Sequence, residues 1–483
     1  MKLELERSGF LKVWQVAEKY ASSKTTMEAL NGIRVTAGSS GTVTLEATDM
    51  KSSVKMIAKG AEVLEPGVAV LNAAILGNML KKSSAKSITL EVSGSKGTLI
   101  AGKSKSRFAV IPAESFPGIP ASSGAEEICS MQASDLGRLI TEGSCAASAP
   151  SDFPKYMGTC LLRTEGNKLL AVATDGRRLS CSHKDAETVN KENDMLMPAA
   201  AVKDLAKIFT GDEIVRILFD GSMVWFVLEK PAIQEGGENT ETDSSENADN
   251  SENTNTDYQE NADSGENTNT DYPENDDDGE KTASAPAPKE SYLDGTEFSL
   301  RSIEANFPKY ERILNEEIMT TLTINRSDLL SALDRVAVIA KNTPAHIIAM
   351  TLKPGSELLI TARAPGLGTA SETLEPKEVT GKSIQIGFNL NFLNDGLKAA
   401  SSEDVYLEFS EIEGQTRIYC GKDNKDFLYM LMPIRLTPQD IVSEDDNSDF
   451  AAPEDEQAGS ESQQENYGDE SPQESQDNSN APF

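Results

Sequence analysis

Apolar and polar positions change period at three places along the chain. KLELERSGFLKVWQVAEKYA from position 2, EICSMQASDLGRLITEGSCAA from 127 and TTLTINRSDLLSALDRVAVIA from 320 each begin with strand-like alternation and continue with apolar residues at helical spacing. Ser134 and Ser327 are the expected N-caps of the second and third helices; the aspartate after each favours the positive end of the helix dipole. A second helical pattern follows every time: LNAAILGNMLKKS, MPAAAVKDLAKIF and FNLNFLNDGLKAA. Anchored on Phe10, Leu136 and Leu329 for the first helices and on Leu76, Val202 and Leu393 for the second, the separations are 66, 66 and 64 residues. A strand (SITLEVSG, EIVRILFDG, DVYLEFSE) comes 12 residues after the second anchor in all three, and each copy closes with another strand: SRFAVIPA, EFSLRSIE, DFLYMLMP.

Six separations agreeing within two residues define a threefold internal repeat. The fold class is therefore α+β: three units of about 126 residues, each with two helices and many short antiparallel strands. The step from Leu136 to Leu329 is 193 residues, and a low-complexity stretch of 59, residues 232–290, accounts for nearly all of the excess. It lies between the strands MVWFVLE and EFSLRSIE, a hairpin position where added loop length costs little. The predicted domains are 1–125, then 126–231 with 291–317, then 318–436, followed by a tail at 437–483. Repeats of this kind suggest a curved or ring-like assembly, closed by head-to-tail contact where the rotation permits.

Charge sharpens this division. The 483 residues carry a formal charge of -33, which taken alone argues against a nucleic-acid partner. Residues 231–290 hold 18 acidic and 2 basic side chains, and residues 437–483 hold 14 acidic and none basic, so the rest of the chain is at -3. Both acidic segments are expected to be disordered: the 14-residue duplication ENADNSENTNTDYQ/ENADSGENTNTDYP offers one Tyr and one Ala per copy, too little apolar surface to offset the ordering entropy. The six predicted helices with their flanks total +6, leaving -9 on the remaining folded part.

Enzymatic chemistry finds little support. Five cysteines without a CxxC pair indicate free thiols in a reducing compartment. Two histidines make a His-based metal site or a Ser-His-Asp triad unexpected, and Cys181 with His183 is the one Cys–His pairing close in sequence. No phosphate loop is present, so no catalytic residue, metal or cofactor is expected. The N-terminus has no signal-peptide pattern and no run of 18 apolar residues occurs, which places the protein in the cytoplasm with no membrane partner.

Four segments then carry a family resemblance: RFAVIPAESFPGIP at 107–120, VATDGRRLS at 172–180, RSIEANFPKYERIL at 301–314 and LYMLMPIRL at 428–436. They resemble the bacterial sliding clamp, the beta subunit of DNA polymerase III, over nearly everything outside the acidic segments. The resemblance implies a non-catalytic processivity factor: two chains paired head to tail into a ring of six domains, with helices lining a pore around duplex DNA. DNA contacts would fall on Lys12, Lys24, Lys81, Lys82, Lys86, Arg138, Lys203, Lys207, Arg335 and Lys341. The stretch Pro198-Ala199-Ala200-Ala201 departs from the family by lacking basic residues there.

The resemblance further implies an apolar pocket between domains two and three for short peptide motifs of the polymerase catalytic subunit, the clamp loader, other polymerases and repair proteins. One wall would comprise Met157, Thr174, Gly176, Arg177, Arg178 and Leu179. Facing it would lie Pro308, Arg312, Ile313, Phe392 and Thr416, with Met430, Met432, Pro433, Ile434, Arg435 and Leu436 from the final strand. Methionine adapts to several partners, and arginine can hold a peptide carboxylate or carbonyl. Phe108 and Val110 of one chain would meet Val338 and Ile339 of the other. The acidic tail starts at the pocket and is expected to screen pocket or pore. A clamp paralogue serving regulation is the alternative reading.

Overall fold

In the computed structural model, each strand-to-helix switch in the sequence is a strand running directly into a helix. The structure describes residues 1–22, 25–149, 154–229, 291–314, 317–410 and 414–442. The six α-helices among the described residues are α1 (Arg7–Glu18), α2 (Ala73–Lys82), α3 (Ala133–Gly143), α4 (Ala199–Ala206), α5 (Arg326–Ala340) and α6 (Leu390–Ala399). They pack as α1/α2, α3/α4 and α5/α6, one pair per repeat. Buried faces explain the pairing: Phe10, Val13, Trp14 and Ala17 of α1 are covered, and the Trp14 indole N–H donates to the Ala73 carbonyl at 3.0 Å.

The helix starts differ from the serine caps read in the sequence. Asn325 caps α5, accepting from Ser327 N at 2.9 Å and Asp328 N at 3.2 Å; Glu6 does the same for α1. Helix α3 begins at Ala133 with no side-chain cap. Its first amides donate instead to the carbonyls of Glu213 (2.8 Å) and Gly211 (3.0 Å). The last strand residue serves as cap, or a neighbouring loop supplies acceptors, so the helix needs no connecting turn.

Among the described residues the strands form three antiparallel sheets, and two of them cross domain boundaries. Glu297–Arg301 of the second domain pairs with Ser52–Ile57 of the first, Phe298 opposite Val54. Arg178–Asp185 of the second domain pairs with Phe427–Leu431 of the third, Leu179 opposite Met430. The third sheet has four strands, in the order Gly368–Leu374, Leu358–Ala364, Ile347–Leu352, Ile384–Asn389, and among the described residues its first strand is an open edge. Met223–Glu229 pairs with Glu297–Arg301, so residues 230–290 are inserted in a hairpin, as the spacing predicted. The expected disorder of 232–290 and of most of the tail concerns residues outside those described.

Candidate functional site

Several of the residues that the resemblance names for a pocket lie around the sheet shared by the second and third domains, Leu179 opposite Met430. Leu161, Val172, Leu179, Leu196, Tyr310 and Met430 form a buried cluster beneath them. The 174–178 turn forms one rim: Asp175 Oδ1 accepts from the amides of Arg177 (2.9 Å) and Arg178 (3.1 Å), and Thr174 Oγ1 donates to the Arg178 carbonyl at 2.7 Å. Gly176 sits at φ +83°, a backbone state that a side chain disfavours, and the Met157 methyl closes over it. Opposite, Gln415 Nε2 donates to the Ile313 carbonyl at 2.6 Å, tying the 310–314 turn to Thr416. Thr416 is buried beside Leu431.

Arg178 locks the junction. Its side chain is 8 % exposed and bonds Asp175 at 2.9 Å, Asp395 of α6 at 2.6 Å and the Tyr429 hydroxyl at 3.2 Å. The guanidinium also lies 4.3 Å from the centre of the Phe392 ring, a cation–π contact. Burial opposes its charge, but Tyr429, Asp395 and Asp175 outweigh burial and hold its pKa above the ordinary value. Arg178 is therefore part of the wall and already engaged, whereas Arg177 and Arg312 are exposed at the rim. Met432 and Ile313 are 44 % and 48 % exposed. Asp395 and Tyr429 were not among the residues read from the sequence; Asp395 is three residues after Phe392 and so shares its helix face, the one local signal for it.

Past Met430 the chain stays on the pocket edge. The Met432 amide donates to the Arg177 carbonyl at 2.9 Å, and Ile434 bridges to Gly387. Gly387 is required here, because a Cβ would strike the Ile434 carbonyl and Leu436. Pro308 is exposed beside Phe307, whose ring meets Tyr156 at 6.1 Å. A separate cleft of about 770 Å³ is lined by Tyr310, Arg163, Glu165, Leu170, Asp194 and Glu311 among others. None of the sequence-derived pocket residues lines it, and its one arginine is held by Asp194 and Glu311.

The basic residues divide into two groups. Lys81 pairs with Glu18 at 3.0 Å, Lys207 with Asp204 at 2.8 Å, and Arg335 with Glu372 through two bonds of 2.7 and 2.8 Å. Arg138 is bound at 2.9 Å to Glu142, whose carboxylate is 1 % exposed. Those four are spoken for locally. Lys12, Lys82, Lys86, Lys203 and Lys341 make no ion pair among the described residues, and Lys24 lies outside them.

The internal repeat also exposes an unfilled joint. At the two filled joints, the third strand after the first helix of one domain pairs with the closing strand of the next. In the third domain that third strand is Gly368–Leu374, which has an open edge. In the first domain the closing strand is Ser104–Ile111, and its 104–109 portion is paired on one side. The residue ten after each first anchor tells the same story. Tyr20 stacks on Phe298 across the first joint, with ring centres 5.5 Å apart, and Ala146 is buried in the third domain's core. Their counterpart Ile339 is only partly covered, and its neighbour Val338 is 70 % exposed. Phe108 is the repeat equivalent of Phe298 and is likewise only partly buried.

Comparisons with known proteins agree with this architecture. Residues 1–120 match the family model of the DNA polymerase III beta subunit N-terminal domain, 130–235 that of the central domain and 311–435 that of the C-terminal domain. Together they span well over half of the chain, in order. The beta sliding clamp of Streptococcus pneumoniae R6 is 22 % identical over 442 residues, covering 89 % of this chain and 98 % of its own length. That of Staphylococcus epidermidis RP62A is 23 % identical over 445 residues, covering 90 % and 99 %. The crystal structure of the DNA polymerase sliding clamp from Bacillus subtilis superposes with a TM-score of 0.70 at 18 % identity, covering 90 % of this chain and all of that one, a likeness of fold.

Proposed function

The chain belongs to the DNA polymerase III beta-subunit family, and from that premise we propose how it works as a DNA sliding clamp. The clamp is a processivity factor and carries out no catalysis. Burial raises the thiols of Cys129, Cys145, Cys160 and Cys181 to about 12, so none supplies a nucleophilic thiolate at neutral pH.

Two chains pair head to tail, the open strand 368–374 of each receiving the closing strand 104–111 of the other. The carrying observation is the repeat itself: two joints are filled within the chain, and the third leaves one acceptor edge and one donor strand. Phe108 and Val110 then cover Val338 and Ile339. Duplex DNA passes through the ring, and Lys12, Lys82, Lys86, Lys203 and Lys341 supply sequence-independent phosphate contacts. Topology retains the ring, so these contacts need not be tight. The polymerase catalytic subunit, the clamp loader and other polymerases or repair proteins insert short peptides at Met157, Gly176, Arg177, Ile313, Phe392 and Met432. The clamp acts in the cytoplasm, and no helix among the described residues is long and apolar enough to cross a membrane. No observation favours a regulatory paralogue.

The test is retention on DNA after loading. Protein held on nicked circles and shed when the circle is linearised supports an encircling clamp. Equal retention on both forms would replace topology with ordinary affinity.

A further inference from the structure

The described start of the acidic tail runs away from the pocket. Beyond Leu436 the chain turns at Thr437, whose amide (2.8 Å) and hydroxyl (2.6 Å) both donate to Asp440. Arg363 Nη1 then donates to the Ile441 carbonyl at 3.4 Å. Leu358, Ile360 and Ala362 face the core of the third domain, so Arg363, alternating with them, is on the outer face of the four-stranded sheet. The chain therefore crosses that face from Gly387 on one edge strand to Arg363, one strand short of the open edge. The residues that follow, 443–483, hold thirteen carboxylates and no basic side chain.

Across the joint lies the opposite charge. The hairpin of Lys96–Ala101 and Ser104–Ile111 carries Lys96, Lys103, Lys105 and Arg107, all exposed. None makes an ion pair among the described residues, and Glu91 on the neighbouring strand is taken by Lys2 at 2.8 Å. Phe108 and Val110 face the core, so Arg107 and Lys105 point outward; Lys96, paired with Ala109, shares that face. On the head-to-tail joint, the outer faces of the two sheets are continuous. Arg363 is then two strand spacings, roughly 10 Å, from the partner's closing strand.

We propose that residues 443–483 of one protomer lie on the partner's 96–107 hairpin, an electrostatic strap across the ring joint. The inference rests on the head-to-tail reading of that joint. The strap adds attraction between subunits without burying apolar surface, so it makes ring opening sensitive to ionic strength and to anything polyanionic that competes for the hairpin.

A zero-length carbodiimide joins carboxylates to lysines within contact distance, so it reads the strap directly on the full-length protein. Dimers assembled from isotopically light and heavy chains should give mixed cross-links between 443–483 and Lys96, Lys103 or Lys105. Cross-links to the hairpin from residues 232–290, or tail cross-links spread over unrelated lysines, overturn the proposal. Subunit exchange supplies the second measurement: ending the chain at 442 should speed exchange several-fold at low salt and not at 1 M. K103E, at the hairpin tip, should speed it in the full chain and add nothing in the shortened one. Additive effects, or a K103E effect seen only as weakened DNA retention, overturn the strap and assign the hairpin to phosphate binding. Light scattering separates the two levels: a full-length protein that is monomeric removes the joint itself, whereas a dimer with unchanged exchange removes only the strap.

Discussion

Arg178 Nη1 is 2.6 Å from Asp395 Oδ2, and that bond crosses from the second domain's turn to a helix of the third. The same guanidinium holds Asp175, which is 10 % exposed, while Asp395 is 49 % exposed. The two carboxylates therefore predict different costs. Arg178→Ala strands a mostly buried acid and removes a donor from Tyr429, and should cost ~3 kcal/mol of stability. Asp395→Asn should cost about 0.5 kcal/mol, as exposed pairs do. Urea unfolding monitored by circular dichroism checks both; equal losses would mean that the junction depends on Asp395 more than its exposure allows.

Helix pairs and their spacing were legible because Leu136 and Val202 are buried positions of amphipathic helices, and the insertion point was legible because the step from Leu136 to Leu329 exceeds the repeat while MVWFVLE is an apolar strand-like run. Pairings between distant segments were not. Nothing near Lys81 announces Glu18, 63 residues earlier, and nothing near Arg178 announces Tyr429, 251 residues later. For that reason the count of basic residues did not separate cations held by a nearby carboxylate from those without an ion pair among the described residues. The resemblance put Arg178 in the pocket wall, and only the packing shows that its guanidinium is held by Asp175, Asp395, Tyr429 and the Phe392 ring.

Arg138 and Lys82 were read as one class, and the structure separates them. Arg138→Ala leaves Glu142 buried with Ser182 Oγ at 2.6 Å as its remaining partner, and should cost ~2 kcal/mol of stability. Lys82→Ala is exposed and should leave stability within ~0.5 kcal/mol. It should instead lower the salt dependence of DNA binding by about one counterion, a slope change of ~0.9. Thermal unfolding and a salt titration of DNA affinity, run on both variants, distinguish the roles.

His183 lies in the strand that joins the second and third domains, its amide bonded to the Asp426 carbonyl at 2.9 Å. Burial holds its imidazole below the ordinary value of 6.5, with Lys168 adding to the shift and Asp426 opposing it. Between the lowered folded value and 6.5, the unfolded chain binds the proton that the folded one refuses. Stability from this residue is complete above about pH 7 and is lost as pH falls through the folded value. The denaturation midpoint should decline as pH falls below about 7, and His183→Gln should flatten the decline there. An unchanged slope would assign it to carboxylates.

Val338 is 70 % exposed on α5, so its replacement tests assembly with little effect on the protomer's own core. Val338→Asp puts a charge where the joint requires apolar cover for Phe108. The variant should unfold within ~0.5 kcal/mol of the parent. It should nevertheless dissociate at concentrations where the parent is dimeric, because an unpaired charge buried in an interface costs several kcal/mol. Phe108→Ala, from the other side of the same joint, should weaken the dimer as well, and the two changes together should cost less than their sum, since each removes the other's partner. Sedimentation equilibrium over a concentration series reads all three. If Val338→Asp and Phe108→Ala were strictly additive, the two residues would not meet, and the third joint would be built differently from the two within the chain.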